Sequence, residues 1–266
     1  MAGYHAKKRL GQNFLKSPEV IQRIIDEVDH SAGKPVIEIG PGRGALTHPL
    51  AESGVDLLAV EFDRDLVGYL EKLVRKFDNA TILHADFLTF EPDAERYPKF
   101  TLLGNLPYNI TSPVMDWCDR YHERIETAVF MVQEELALRL SGSPGSKNWS
   151  PLSVMTQMLF DVDFRFRVSA KAFRPPPKVT SAVVKLTPRE TVIDTAADAV
   201  RQVVKASFKQ RRKLLVNNLV PETIPTVEQA REILDNLGLD RSCRAEQVTI
   251  EQFLALTSHL RSHNLV

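Results

Sequence analysis

The chain has 266 residues, of which 43% are hydrophobic and 26% are charged, and its 34 basic residues balance its 34 acidic ones. These are the proportions of an ordinary globular protein, with length enough for one large domain and one small domain. The zero net charge argues against a protein that coats nucleic acid without specificity, and no apolar run approaches the roughly 20 residues of a membrane helix.

The cysteine and histidine content limits which metal sites and disulfides we expect. Cys118 and Cys243 are the only cysteines, and neither they nor the seven histidines have the spacing of metal ligands. Two such distant cysteines do not indicate a disulfide framework either. We therefore expect a reducing, cytoplasmic setting and no bound metal. The basic N-terminus lacks an apolar segment, so it does not read as a secretory signal.

The predicted elements begin after an irregular stretch over residues 1–16. A helix is predicted to begin at Ser17-Pro18-Glu19, where Ser can cap the helix and Pro suits its first turn. From about residue 35 to 133, strand-like and helix-like segments alternate. This alternation is typical of a parallel sheet with helices on both faces.

The C-terminal part of the chain has a different pattern. Two further strands are predicted at 164–168 and 181–186, and beyond Pro188 the apolar residues recur at helical spacing. We therefore predict a large α/β domain over residues 1–188 and a small all-helical domain over residues 189–266.

Three predicted strands end in residues that suit a nucleoside-containing cofactor. The first, at 36–39, runs into a glycine-rich turn that starts at Gly40, and glycines there let the backbone approach a ligand closely. The second ends in Glu61, about 20 residues further on, where a carboxylate can accept hydrogen bonds from ribose hydroxyls. The third ends in Asp86. A plain tight turn and ordinary solvated acids are the alternative for each motif alone.

The most informative motif is Asn105-Leu106-Pro107-Tyr108, which follows a predicted buried strand at 100–104. The side-chain oxygen of Asn105 and the carbonyl of Leu106 or Pro107 can accept hydrogen bonds from an exocyclic amine, and the Tyr108 ring can stack on a planar base. A proline turn after a core strand is the alternative. Together with the cofactor site, the motif predicts methyl transfer from S-adenosylmethionine to an adenine that is unpaired or flipped out.

Two basic segments contain no acid, one over residues 1–18 and one over residues 205–213. The second segment includes Arg211, Arg212 and Lys213. A solvated helix face is the usual explanation of such a run. Contact with the RNA phosphate backbone is about equally expected here.

The chain resembles the ribosomal RNA adenine N6-dimethyltransferases, and specifically the branch that acts on small-subunit (16S) ribosomal RNA. The resemblance runs from Lys8 to Glu246 and rests on five motifs in the family's order. These are Gly-Gln-Asn-Phe-Leu at 11–15, Glu-Ile-Gly-Pro-Gly at 38–42, Asn-Leu-Pro-Tyr at 105–108, Ala-Phe-Arg-Pro-Pro-Pro-Lys-Val at 172–179 and Phe-Lys-Gln-Arg-Arg-Lys at 208–213.

This resemblance implies a class I, Rossmann-like methyltransferase sheet over residues 1–188, which would bind S-adenosylmethionine, and a helical RNA-binding domain over residues 189–266. It implies four methyl transfers onto two adjacent adenines in a hairpin near the 3′ end of 16S ribosomal RNA, coupled to small-subunit biogenesis. The expected partner is 16S ribosomal RNA within the small subunit, without a membrane, and we expect a monomer.

The resemblance also implies roles for single residues in binding the cofactor. Asn13 and Leu15 would close over its methionine end. Gly40 would lie at the glycine-rich turn, Glu61 would bind the ribose hydroxyls and Asp86 would meet the adenine amine.

On the substrate side, Asn105 would touch both the cofactor and the target. Phe173 would be the second aromatic ring, so that the target adenine lies between it and Tyr108. The sequence departs from the family's pattern at Glu134, where a lysine is frequent, and at Trp149-Ser150-Pro151, where a Tyr-Gly pair is common. These departures bear on RNA contacts and not on the cofactor site.

Two other functions remain open from the sequence. A non-enzymatic ribosome assembly factor could keep the same fold, although the intact Glu61, Asp86, Asn105 and Tyr108 argue against it. An enzyme that acts on large-subunit ribosomal RNA and confers antibiotic resistance would share the catalytic motif. The Pro-Pro-Pro-Lys-Val loop and the Gln-Arg-Arg-Lys helix favour the small-subunit branch.

Overall fold

The computed structural model describes residues 12–107, 110–189 and 197–266. Within these ranges the strands are β1 (Phe14–Leu15), β2 (Pro35–Ile39), β3 (Asp56–Glu61), β4 (Ala80–His84), β5 (Phe100–Asn105), β6 (Ile125–Gln133), β7 (Phe160–Val168), β8 (Phe173–Arg174) and β9 (Ser181–Pro188). The helices are α1 (Pro18–Ile25), α2 (Thr47–Ser53), α3 (Arg64–Val74), α4 (Thr111–Arg120), α5 (Glu134–Leu140), α6 (Pro151–Leu159), α7 (Ala197–Ser207), α8 (Leu215–Leu219), α9 (Val227–Asn236) and α10 (Ile250–Ser262).

Seven strands form one sheet in the order β4-β3-β2-β5-β6-β9-β7. The central strand β2 pairs in parallel with β3 and β5, and these two pair in parallel with β4 and β6, whereas β9 is antiparallel to β6. The chain builds β3 and β4 on one side of β2 and then returns to its other side with β5. Ligands of open α/β sheets bind where the strand order reverses in this way, so the fold places the expected site beyond the carboxyl ends of β2 and β5.

The central strands are apolar because helices cover both faces of a parallel sheet. Every residue of β3 after Asp56 is buried, as is every residue of β5 before Asn105. The covering helices are amphipathic, and α3 buries Leu66, Leu70 and Val74 at helical spacing. Its start is fixed by Asp63, whose side chain accepts a hydrogen bond from the Asp65 N–H.

The chain divides into two units. The first contains the chain up to Ala137 together with Asp161–Pro188, and the second contains Leu138–Phe160 together with the chain from Arg189 on. The predicted boundary at 188 is one of the points at which the chain passes from one unit to the other. That prediction assigned residues 138–160 to the first domain, but Trp149, Val154 and Met158 belong to the hydrophobic core of the C-terminal helices.

Two local predictions need correction. The N-terminal stretch is not wholly irregular, because Phe14 and Leu15 pair with Arg174 and Phe173 to form the small sheet of β1 and β8. The pairing partner is about 160 residues away, so no local pattern announces it. The predicted helix over the Gln-Arg-Arg-Lys motif ends before it, since α7 stops at Ser207 and residues 208–213 form turns that lead to α8.

Each helix in the described part of the chain is too short or too polar to cross a bilayer. The same residues contain no group of three or more His, Cys, Asp or Glu side chains that could hold a metal ion.

Candidate active site

A cavity of about 320 Å³ opens in the first unit, beyond the carboxyl ends of the parallel strands. Register explains why their end residues meet: Ile39 of β2 lies beside Val60 of β3 and Gly104 of β5. The predicted site residues that line the cavity are Asn13, Leu15, Gly40, Glu61, Asp86, Asn105, Leu106, Pro107 and Phe173. The structure therefore brings together residues spread over 160 positions of sequence. Tyr108 lies outside the described residues.

The glycine-rich turn forms the floor of the cavity at the end of β2. Gly40 has φ of 61°, a left-handed conformation that favours glycine, and its N–H donates to the Val60 carbonyl at 2.9 Å. Gly42 also has a positive φ, and a Cβ at that position would lie 3.2 Å from the Phe14 ring. The turn therefore needs glycine at 42 for close packing as well as for its backbone conformation.

Glu61, the last residue of β3, is 5% exposed and faces the cavity. Its two carboxylate oxygens accept hydrogen bonds from the backbone, Oε2 from the Gly42 N–H at 3.0 Å and Oε1 from the Asp63 N–H at 2.7 Å. Burial raises the pKa of this carboxyl, and the two backbone bonds oppose that rise. A carboxylate has about four acceptor positions, so these bonds leave acceptor capacity for hydroxyl donors of a ligand.

Glu38 on β2 also lines the cavity, and the sequence did not single it out. It is 2% exposed, and its Oε2 has no hydrogen-bond partner in the described chain. Burial raises its pKa to about 8; the Thr47 hydroxyl opposes the rise and the Glu61 charge adds to it. Thr47 Oγ1 is itself without a hydrogen-bond partner among the described residues, so its influence is that of a nearby dipole.

Asp86 and Phe62 line the cavity and are both exposed. Asp86 is exposed, and its Oδ1 accepts a hydrogen bond from the Leu88 N–H at 3.0 Å, which caps the short 3₁₀ turn Phe87–Thr89. Phe62 is 55% exposed, an unusual state for a large apolar ring. The signal that could have identified Phe62 is its place directly after the strand-end acid Glu61, where a ring can cover a planar ligand.

The Asn-Leu-Pro-Tyr motif leaves the sheet at the end of β5. The side-chain Nδ2 of Asn105 donates to the Asn13 carbonyl at 3.1 Å. The Leu106 N–H donates to the Met131 carbonyl at 3.0 Å, which ties the motif to β6. The Pro107 carbonyl already accepts two hydrogen bonds, from the Ile110 N–H at 3.1 Å and from the Thr111 hydroxyl at 3.2 Å.

Phe173 is 3% exposed and packs in the core of the first unit, with its ring at the cavity wall. Its position is fixed by β8, which pairs with β1, and by the Lys16 N–H, which donates to the Ala172 carbonyl at 2.8 Å. Both explanations of Phe173, a core aromatic and a wall of a binding site, are compatible with this position.

The basic motif of the second unit lies in the turns between α7 and α8. Arg211 Nε pairs with Glu246 at 3.0 Å, and its guanidinium also donates to the Lys147 carbonyl. Arg212 and Lys213 are exposed and make no ion pair with another described residue. Arg211 therefore has a structural partner that its two neighbours lack.

The two departures from the family pattern have partners inside the fold. Glu134 accepts a hydrogen bond from Arg167 Nε at 2.5 Å. Trp149 is 1% exposed and donates from Nε1 to the Val248 carbonyl at 2.9 Å, while Ser150 caps α6. Trp149 therefore packs in the core of the second unit and presents no ring to a ligand.

Comparison with known proteins adds to this geometry. A family model described as ribosomal RNA adenine dimethylase matches residues 3–261. The ribosomal RNA small subunit methyltransferase A of Shewanella oneidensis is 40% identical over 260 residues, which are 96% of this chain and 95% of that protein. The protein of the same name from Aromatoleum aromaticum is 38% identical over 267 residues, with 98% and 96% covered.

Two solved structures are also similar. The 23S rRNA methyltransferase ErmE is 32% identical with a TM-score of 0.74, covering 94% of this chain and all of that one. A dimethyladenosine transferase from Plasmodium falciparum has a TM-score of 0.82 at 24% identity, covering 94% and 98%. The second likeness concerns the fold alone. The predicted α/β class I methyltransferase fold is confirmed.

Proposed function

Because the chain belongs to the ribosomal RNA adenine dimethylase family and is an RNA adenine dimethyltransferase, we propose how its residues carry out this reaction. The substrate is 16S ribosomal RNA within the small subunit, and the products are two adjacent N6,N6-dimethyladenines in the 3′-terminal hairpin. The enzyme acts as a cytoplasmic monomer. The observation that carries the proposal is that Glu61 and Asn105 line one cavity, on either side of the strand-order reversal.

The cavity fits S-adenosylmethionine, a cofactor that the family implies. The left-handed Gly40 lets the chain turn without a side chain at the cavity floor, and Glu61 has acceptor positions left for the two ribose hydroxyls. Asp86 and Phe62 line the same cavity, and in this proposal Asp86 accepts from the adenine amine while the Phe62 ring lies on the adenine face. Asn13 and Leu15 cover the methionine end. When bound, the cofactor supplies an electrophilic methyl group on a positively charged sulfur.

The chain's own part is to hold the target amine. The amine of adenine is a weak nucleophile because its lone pair is delocalised into the ring. Two acceptors aimed at its hydrogens favour a pyramidal nitrogen whose lone pair is free to react. Asn105 Oδ1 is one acceptor. The Leu106 carbonyl is the other, since both acceptor positions of the Pro107 carbonyl are occupied.

This arrangement needs no strong base, because the proton can leave the amine after the methyl group arrives. Alignment of the reacting atoms and charge complementarity in the transition state then provide the catalysis. Tyr108 and Phe173 stack on the two faces of the target adenine. An adenine inside a helix cannot reach such a cavity, so the target is a loop base or a flipped base.

The test uses a radiolabelled methyl donor with small ribosomal subunits that lack the modification. We expect label on adenine with the wild-type chain. With Asn105→Ala we expect a transfer rate at least about a hundredfold lower, the usual effect of losing one aligned polar group, while calorimetry finds cofactor binding largely retained. Wild-type turnover by this variant would remove Asn105 from the mechanism. Absence of label with the wild-type chain would overturn the proposal.

The similarity to the 23S rRNA methyltransferase ErmE gives one specific reason to keep large-subunit RNA as the second candidate substrate. Primer extension across both ribosomal RNAs after reaction decides between the two. Calorimetry with S-adenosylmethionine separates the enzyme from a non-enzymatic assembly factor, since the latter need not bind the cofactor.

A further inference from the structure

We propose that Gln12 and the backbone carbonyl of Asn13 are positioning groups for Asn105, the residue that holds the target amine. The inference rests on the proposed function and deepens it. The N-terminal strap, residues 12–15, lines the cavity with all four of its residues. Its contacts connect the cofactor side of the cavity with the target side.

The Asn13 carbonyl fixes the orientation of the Asn105 side chain. Its amide has a donating nitrogen and an accepting oxygen, and the two are hard to distinguish by shape. The Asn13 carbonyl can only accept, so the hydrogen bond at 3.1 Å requires the nitrogen to face the strap. The oxygen must then face the opposite way. The strap thereby presents Oδ1 as the acceptor that the target amine needs.

The residue that precedes Asn13 holds the Asn13 carbonyl in place. One residue earlier, Gln12 Nε2 donates to Asp63 Oδ2 at 3.0 Å. Asp63 is 4% exposed, and its backbone N–H donates to Glu61 Oε1 at 2.7 Å. The bond from Gln12 therefore fastens the strap to the end of β3, beside the carboxylate proposed to bind ribose.

The other end of the strap is held by strand pairing and by a contact to an aromatic ring. Phe14 and Leu15 form β1, which pairs with Arg174 and Phe173. The Arg43 guanidinium lies 4.8 Å from the centre of the Phe14 ring. These contacts fix the strap on the far side of Asn13, so that the Asn13 carbonyl is held between two anchors. Loss of the bond from Gln12 to Asp63 removes one of the contacts that hold the strap on that side.

A displaced carbonyl leaves the Asn105 amide free to rotate, and a rotated amide offers N–H groups where the amine requires an acceptor. The rate of the methyl-transfer step itself is then lowered. A strap that served only as a cover over the cofactor would instead affect cofactor affinity, and saturating cofactor would restore the wild-type rate. The rate at saturation separates the two roles.

The experiment measures single-turnover methyl transfer to unmodified small subunits, at saturating cofactor and RNA, together with the cofactor dissociation constant. Gln12→Glu places a carboxylate against Asp63 and breaks the bond. Gln12→Met removes the donor without adding charge. Gln12→Glu combined with Asp63→Asn restores a bond in the reverse direction. Asp63→Asn alone should lower the transfer rate less than Gln12→Glu, because the Gln12 amide can rotate and accept a hydrogen bond from the new asparagine.

A matched control breaks a bond of the same type elsewhere. Gln22 on α1 donates from Nε2 to Asp26 Oδ1 at 2.8 Å on the exposed surface. Gln22→Glu is expected to leave the rate unchanged. We expect both Gln12 variants to lower the saturating rate between about tenfold and a hundredfold, the usual cost of a small misplacement of a reacting group, and the double variant to recover most of it.

Two results would overturn the inference. One is a saturating rate equal to wild type in both Gln12 variants, with or without weaker cofactor binding. The other is a double variant that transfers methyl groups as slowly as Gln12→Glu while its thermal unfolding matches wild type. A wild-type chain that transfers no methyl group would instead contradict the proposed function, which is a separate outcome.

Discussion

Glu38 combines burial, an unpartnered oxygen and a neighbouring acid, so its protonation state contributes to stability. Its pKa in the folded chain is about 8, against an ordinary value of 4.5. Between these two pH values the folded chain binds a proton that the unfolded chain releases. The free energy of unfolding therefore falls as pH rises through this window, by about 1.4 kcal/mol per pH unit.

We predict that Glu38→Gln stabilises the cofactor-free protein at pH 8 and has little effect at pH 5. The glutamine has the shape of the protonated acid and no proton to lose, so its advantage grows as pH rises from 4.5 to 8. Denaturant unfolding of both proteins at the two pH values measures it. Glu71→Gln is the control, since Glu71 is exposed on α3 and makes no ion pair with another described residue. An advantage equal at both pH values would contradict the prediction.

The residues that line the cavity differ in how well the sequence predicts them. The cavity positions of Glu61, Asp86 and Asn105 were predictable because Glu61 and Asn105 end the buried strands β3 and β5 and Asp86 lies just beyond β4. The ends of parallel strands must meet. Gln12 and Glu38 were not, because their significance depends on contacts across the fold. Gln12 donates to a residue 51 positions away. Glu38 is notable because its buried Oε2 has no hydrogen-bond partner in the described chain.

At the scale of elements, β5 reaches the site through Gly104, the residue before Asn105. A Cβ at Gly104 would lie 2.8 Å from Leu106 Cδ2 and 3.2 Å from both the Cβ and the carbonyl oxygen of Ile39. The neighbouring strand's backbone cannot give way as a flexible side chain can. Glycine at this position therefore allows β2 and β5 to approach closely where the cavity begins.

We predict that Gly104→Ala lowers the free energy of unfolding by about 1–3 kcal/mol, the usual cost of overpacking, and slows methyl transfer, because Asn105 moves with the strand. Gly68→Ala is the matched control: Gly68 is exposed within α3, and nothing lies within 4 Å of its added Cβ. That control should stabilise the protein by about 0.5–1 kcal/mol. Equal stability of the two variants would contradict the prediction.

The elements of the large sheet were predictable from alternating strand and helix patterns, and the small sheet was not. A parallel strand with both faces covered is a run of apolar residues that the sequence displays directly. The two-residue β1 carries no such signal, because its pairing with β8 is set by the whole fold. The turns over residues 208–213 were missed because a basic run has no apolar periodicity to break.

At the scale of the whole molecule, the sequence indicated a change of architecture near 188 but not the return of an earlier segment. Residues 138–160 contribute Trp149 and α6 to the second unit. Their apolar residues look like any core segment, and the sequence does not say which core they join. A boundary drawn once along the chain cannot represent a unit built from two segments.

Net charge is a property of the whole molecule, and here it is zero. The affinity for RNA therefore depends on local basic patches. We predict that Arg212→Gln with Lys213→Gln weakens RNA binding and reduces the slope of log affinity against log salt by about 1–2, since each lost phosphate contact removes roughly 0.7–0.9. Filter binding across a salt series measures it.

Arg211 should differ from its neighbours, because it pairs with Glu246 within the second unit. Arg211→Gln is therefore expected to change the slope by less than either neighbour and to destabilise the turn it anchors. Arg241→Gln is the control, as Arg241 is exposed in the same unit and pairs with Asp235. Slopes that stay unchanged in the Arg212 and Lys213 variant would assign the basic motif to the solvated surface and leave RNA recognition to other residues.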